Sequence, residues 1–232
     1  MRIDIISAVP ELLESPLANS IVGRARKAGN LHIEIHDLRD YSKDKHNKVD
    51  DYPYGGGAGM VMTPQPIFDA FEHLKEHRNY DNAIYTAPDG KLFDQGEANK
   101  LSLCENMIIL CGHYKGVDYR VREELIDRTY SIGDYVLSGG ELPAMVIIDA
   151  VVRLIPGVLG DSESALEDSF QNGLLGPPQY TRPVNFRGKE VPNVLTSGNH
   201  GKIAEWRHQQ SVDRTKRLRP DLYKKLFDDE KS

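Results

Sequence analysis

Apolar positions in the first 150 residues come in short blocks whose period switches between that of a strand and that of a helix. Residues 2–9 and 31–38 are β-rich, with Ile33 and Ile35 alternating with polar neighbours, and a helical stretch near 18–27 lies between them. Short apolar runs at 83–87 and 107–111 flank a helical segment near 95–103; 119–126 then reads as a helix, 129–137 as a strand and 142–154 as the longest apolar helix. Such alternation predicts an α/β fold, a parallel sheet with helices on both faces. Ligands of such sheets gather in the loops at the carboxyl ends of the strands.

The strand read at 129–137 is interrupted at Gly133, stopped at Gly139 and Gly140, and followed by a helix with Pro143 in its first turn. Proline suits a helix start because the N–H it lacks is unpaired there anyway. Adjacent glycines let the backbone approach a ligand closely or take positive φ. The segment therefore reads as a cofactor loop, with an ordinary strand-to-helix turn as the alternative. Two more strand-ending loops share its character, Ala87-Pro88-Asp89-Gly90 and Gly112-His113-Tyr114-Lys115-Gly116. None is a Gly-x-Gly-x-x-Gly opening a helix or a phosphate loop ending Gly-Lys-Ser or Gly-Lys-Thr. A nicotinamide-dependent oxidoreductase on an ordinary doubly wound sheet is disfavoured on that ground.

Past residue 156 the pattern changes. Glycines at 157, 160, 173 and 176, prolines at 156, 177 and 178 and several acids suggest a linker over 161–178, between a first domain at 1–160 and a second at 179–232 whose helices are expected near 202–217 and 220–227. Charge changes at the same place. The formal net charge is −6, yet residues 179–225 hold eleven Lys or Arg against four acids, a net +7, leaving −13 elsewhere. A basic lobe on an acidic chain fits a polyanionic partner, and interleaved Trp206, Tyr180, Tyr223, Asn199 and His200 favour RNA; a solvated basic helical face is the alternative.

Other classes recede. No run of apolar residues is long enough to span a membrane. The start, with Asp4 and Glu11, does not resemble a signal peptide, so a cytoplasmic protein is expected. Cys104 and Cys111 lie in or beside apolar segments and read as reduced core residues. With no Cys-x-x-Cys and no His-Glu-x-x-His, no protein-held metal is expected.

Several segments, taken together, carry a resemblance. Cys-Gly-His-Tyr-Lys-Gly-Val-Asp at 111–118, Ser-Ile-Gly-Asp-Tyr-Val-Leu-Ser-Gly-Gly-Glu-Leu-Pro-Ala-Met at 131–145, Ile-Pro-Gly-Val-Leu-Gly at 155–160, Glu-Asp-Ser-Phe at 167–170 and Ser-Gly-Asn-His at 197–200, with Tyr-Gly-Gly-Gly-Ala-Gly-Met at 54–60, resemble the TrmD family of bacterial tRNA (guanine-N1)-methyltransferases in the SPOUT superfamily. The resemblance runs from Met1 almost to the C-terminus. It implies a SPOUT-type parallel sheet with a deep trefoil knot, a threading that pattern reasoning alone rejects, and a small α-helical tRNA-binding domain. It also implies methyl transfer from S-adenosylmethionine to N1 of the guanine 3′ of the anticodon, by a homodimer whose active site uses both subunits, with at most a magnesium ion that has no dedicated protein site.

Carried over by position, the resemblance assigns Pro88, Gly112, Tyr114, Gly116, Ile132, Gly133, Asp134, Tyr135, Val136, Leu137, Gly139, Gly140 and Pro143 to the cofactor pocket. Asp168 corresponds to the general base and Arg153 to the arginine that meets the target guanine. Arg182, Ser197, Asn199, His200 and Arg214 are expected to grip the anticodon arm. Judged locally, Asp168 is an acid capping a helix near Ser169 and Arg153 a helix-end cation. Lys115 departs from the pattern, standing where many family members carry glutamate, so a role for that acid does not transfer. A non-catalytic RNA-binding protein of the translation machinery is the remaining alternative.

Overall fold

β1, Arg2–Ser7, is buried on both faces, as a central parallel strand has to be. In the computed structural model it pairs with β2, His32–Asp37, on one side and β6, Asn106–Cys111, on the other; β5, Asn82–Leu92, continues the sheet to β7, Arg128–Ser131, while β3 (Asp50–Asp51) and β4 (Val61–Met62) form a separate antiparallel pair. The five-stranded sheet has the order β2-β1-β6-β5-β7 and every pairing in it is parallel. The structure describes residues 1–159 and 168–228 and falls into two compact units, Met1–Gly160 and Asp161–Ser232. Gly160, residues 161–167 of the expected linker, with Glu167 of the Glu-Asp-Ser-Phe motif, and residues 229–232 lie outside the described residues.

Helices cover both faces of the sheet. On one face Ile3, Ile5, Met107 and Ile109 pack with α1 (Glu11–Ala18), α2 (Ser20–Lys27), α4 (Gln95–Leu101) and α6 (Glu141–Val152). On the other, Ile6, Ile108 and Leu110 meet α3 (Pro64–His77) and α5 (Tyr119–Leu125). The alternation of β1 decides this split, because successive side chains leave a strand on opposite faces. α6 buries Ala144, Ile147, Ile148, Val151 and Val152, the i, i+3, i+4, i+7, i+8 stripe of a helix laid on a sheet. Each buried large aliphatic there contributes about 1.5–3 kcal/mol. A parallel α/β sheet of this kind agrees with the SPOUT class.

Three local expectations change. The strand expected over 129–137 ends at Ser131, and residues 132–139 form a loop. Ile132 packs against the core, while Tyr135, Val136 and Leu137 are exposed, Val136 by 85%. Two helices, α1 and α3, occupy regions where none was expected. In the second unit the helices α7 (Asn193–Thr196), α8 (His200–Leu218) and α9 (Pro220–Asp228) are accompanied by a hairpin of β8 (Asn185–Phe186) and β9 (Lys189–Glu190) that the sequence pattern does not announce. Among the described residues no helix is long and apolar enough to cross a membrane.

Candidate active site

Three loops leave the adjacent strands β5, β6 and β7 and line one cavity of about 790 Å³, within the size range of small-molecule sites. The first interrupts β5 itself. Pairing with β7 shifts register between Thr86 and Lys91, and Pro88 in the gap has no N–H for a ladder. Asp89 beside it accepts from Arg122 at 2.8 Å, which holds its carboxyl below the usual range.

The second loop follows Cys111. Gly112 is required there because a Cβ would come within 2.8 Å of the Tyr85 ring. The chain then turns through Tyr114 and Gly116, both at positive φ. It is fastened to the 60–62 segment by Lys115 N–H on the Met60 carbonyl at 3.0 Å and Met62 N–H on the Gly116 carbonyl at 2.9 Å. The Lys115 stem lies across Gly59, where an added Cβ would stand 2.9 Å from its Cε.

The third loop starts as Ser131 turns back on Gly133, whose φ of 148° suits glycine. It ends at Gly139 and Gly140, neither of which has positive φ. Their constraint is space. The Gly140 N–H donates to the Gly112 carbonyl at 2.7 Å, the Thr86 hydroxyl donates to the Gly140 carbonyl at 3.2 Å, and His113 and Gly139 form an isolated antiparallel bridge. A Cβ on Gly140 would lie 2.7 Å from the Gly112 nitrogen. The two glycines thus let one loop press on another.

Of the residues assigned to the pocket by resemblance, Pro88, Gly112, Tyr114, Gly116, Ile132, Gly133, Tyr135, Val136, Leu137, Gly139, Gly140 and Pro143 line the cavity; Asp134 is exposed and does not. Tyr85, Thr86, Gly59, Met60, His113 and Ser138 line it as well, although the resemblance assigns them no part. Among the described residues, the groups of three side chains spaced to hold a metal are Asp4, Glu34 and His36, and His73, Glu76 and His77. Neither group lines the cavity.

The whole site sits in a chain whose residues 1–225 match the family model for tRNA (guanine-1)-methyltransferase TrmD. It is similar to the tRNA (guanine-N(1)-)-methyltransferase of Azobacteroides pseudotrichonymphae, 61% identical over 96% of this chain and 100% of that relative. Its counterpart from Porphyromonas gingivalis is 59% identical over 97% of this chain and 100% of that protein, and that of Christiangramia forsetii 58% identical over 96% and 98%. The chain belongs to the TrmD family.

Of the two residues with catalytic assignments by TrmD resemblance, Arg153 shares the first unit with the cavity and is not among its lining residues. Arg153 follows the last residue of α6, its N–H 3.4 Å from the Asp149 carbonyl. The cavity lies at the other end of α6, at Gly140 and Pro143. Twelve helical residues separate the two ends, a rise of about 18 Å. Asp168 opens a turn in the second unit. Its carbonyl accepts from Gln171 at 3.4 Å, and the turn is closed by Phe170 N–H on the Leu174 carbonyl at 2.7 Å and by Gly176 N–H on the Ser169 hydroxyl at 2.9 Å. The helix cap expected locally at Asp168 is therefore a turn.

In the second unit of this TrmD-family chain, Asn199 caps α8, its Oδ1 accepting from Lys202 N–H at 3.1 Å, with His200 exposed in the first turn. Ser197 supports the cap by accepting the Asn199 N–H at 3.2 Å. Arg214 donates to the Gly176 carbonyl at 3.1 Å and so ties α8 to the 174–176 segment. Arg182 is exposed, as are Lys202, Arg217 and Lys224.

Proposed function

We propose that the protein transfers a methyl group from S-adenosylmethionine to N1 of the guanine immediately 3′ of the tRNA anticodon, tRNA position 37. The observation that carries this reading is the convergence of three strand-end loops on one cavity in a chain of the TrmD family. The residues fit the donor. Gly112, Gly139 and Gly140 keep the backbone of two loops close together, and Tyr114, Ile132 and Leu137 supply walls for a planar base and its ribose. When bound, the donor supplies an electrophilic methyl group.

The chain's own residues do the remaining work. Guanine N1 carries a proton at neutral pH and is a poor nucleophile until it leaves, so a base within hydrogen-bond reach is needed. Asp168 takes that proton. Negative charge then spreads onto guanine O6, where the Arg153 guanidinium stabilises it and holds the ring by paired hydrogen bonds.

A homodimer is part of the proposal. The length of α6 keeps Arg153 about 18 Å from the Gly140 end of its own helix, so a second copy brings its Arg153 to the first copy's cavity. The exposed apolar residues Leu142 and Val146 on α6, with Leu12 on the neighbouring α1, give a face for that copy. The second unit grips the anticodon arm through Arg182, Ser197, Asn199, His200 and Arg214 and its exposed Lys and Arg. Incubation with a guanine-bearing anticodon stem-loop and labelled S-adenosylmethionine tests the reading: labelled 1-methylguanine is expected, and label on any other position would contradict it.

A further inference from the structure

Glu141 is an acid in an unusual place. It opens α6 directly after the Gly-Gly turn, is 1% exposed, and takes the Ser7 hydroxyl on Oε1 at 2.7 Å. Its other oxygen, Oε2, is buried without a hydrogen-bond partner. So is Nδ1 of His113, which faces it at 3.9 Å. Gly139 leaves the space between them. A Cβ there would stand 2.7 Å from His113 Nδ1 and closer still to Glu141 Oε2.

We infer that Glu141 is a positioning residue for the methyl-donor pocket: its carboxylate joins the Ser7 hydroxyl to the His113 ring N–H and so fastens the 112–116 loop to the start of α6. The inference rests on the proposed donor reading. A buried acceptor and a buried polar nitrogen left unpaired each carry a desolvation penalty, and two of them facing one another remove both penalties by closing about 1 Å to ordinary hydrogen-bond length. Ser7 holds Glu141 in place, so His113, which is 24% exposed, is the group that moves. Its ring stacks edge-on against Tyr114 at 4.9 Å, and Tyr114 lines the cavity, so the motion is passed to the pocket wall. Burial first, and then the charge of Glu141, push the Cys111 thiol well above its ordinary value.

The test is a double-mutant cycle read in S-adenosylmethionine affinity by calorimetry, using Glu141→Gln, His113→Ala and both together, on the full chain. Each single change is expected to weaken binding about tenfold and the double change no more than either alone, a coupling of about tenfold. Additive effects, or coupling confined to melting temperature, would overturn the inference. His113→Ala lies on the outer side of the pair and reads the contact even if Glu141→Gln fails to fold; unchanged affinity in it alone would also overturn it. Absence of binding by the unaltered protein would instead remove the donor reading, and this inference with it.

Discussion

The backbone N–H of Gly140 donates to the carbonyl of Gly112 at 2.7 Å, joining loops that leave the sheet from β7 and β6. That bond exists because neither residue has a side chain to keep the loops apart. A methyl group at 140 would press on the Thr86 hydroxyl and sit 3.0 Å from the Cys111 Cα. Gly140→Ala is therefore expected to destabilise by about 1–3 kcal/mol as an overpacked site and to weaken S-adenosylmethionine binding by at least about tenfold. Thermal melting and calorimetry on the same variant check both; wild-type affinity would show that the loops tolerate separation.

Glu97 supports the cavity lining through Tyr130. It is 2% exposed and accepts from Lys100 at 2.7 Å, Lys91 at 2.8 Å and the cavity-lining Tyr130 at 2.6 Å. These bonds, Lys100 first, hold its carboxyl at about 2 against an ordinary 4.5. Burial, with Glu97 alongside, pushes the Tyr130 hydroxyl up to about 12. Because the folded carboxyl titrates below its unfolded value, its stabilisation is complete above the unfolded pKa of 4.5 and drains away as pH falls towards 2. Urea unfolding between about pH 6 and about pH 3 should show a shallower decline in Glu97→Gln than in the unaltered protein. Tyr130→Phe should cost about 1 kcal/mol at neutral pH. Equal slopes in the first comparison would contradict this account.

Lys115 belongs to the mouth of the cavity, with its stem laid over Gly59. Lys115→Ala is expected to weaken S-adenosylmethionine or tRNA binding several-fold, through removal of a cation that meets the donor carboxylate or a tRNA phosphate. Unchanged affinity for both ligands would reduce the side chain to a solvated one.

The basic second unit predicts a steep fall of tRNA affinity with salt. Neutralising exposed Lys202, Arg217 or Lys224 to glutamine should lower the slope of log affinity against log salt by about 1 for each phosphate that no longer meets a cation. A flat salt dependence in the unaltered protein would exclude this unit as the gripping surface.

The sheet was legible because isoleucine-rich runs such as 2–9 and 107–111 have to be buried on both faces. α6 was legible from its apolar stripe. The end of β7 was not. Ile132, Tyr135, Val136 and Leu137 have strand composition, but they wall a cavity in place of pairing with a neighbour. α3 carried a plain signal, Ile67, Ala70, Phe71 and Leu74 at helical spacing, all buried. The hairpin at 185–190 turns through Arg187 and Gly188, both at positive φ, and an arginine there is a poor advertisement of such a turn. His113, in the loop after β6, and Glu141, at the start of α6, lie 28 residues apart, and no local pattern could bring them together. The reason for Gly139 and Gly140 was equally hidden, since it is a second loop that fills the space beside them.

Single-turnover methyl transfer in Asp168→Asn tests the central claim most directly. With a guanine-bearing anticodon stem-loop and S-adenosylmethionine both saturating, loss of the general base should slow formation of 1-methylguanine by about 10²–10⁴-fold, while S-adenosylmethionine affinity stays within about twofold of the unaltered protein, as expected of a residue that acts on the guanine and not on the donor. Formation of 1-methylguanine at the unaltered rate would contradict the assignment of Asp168 and the mechanism built on it.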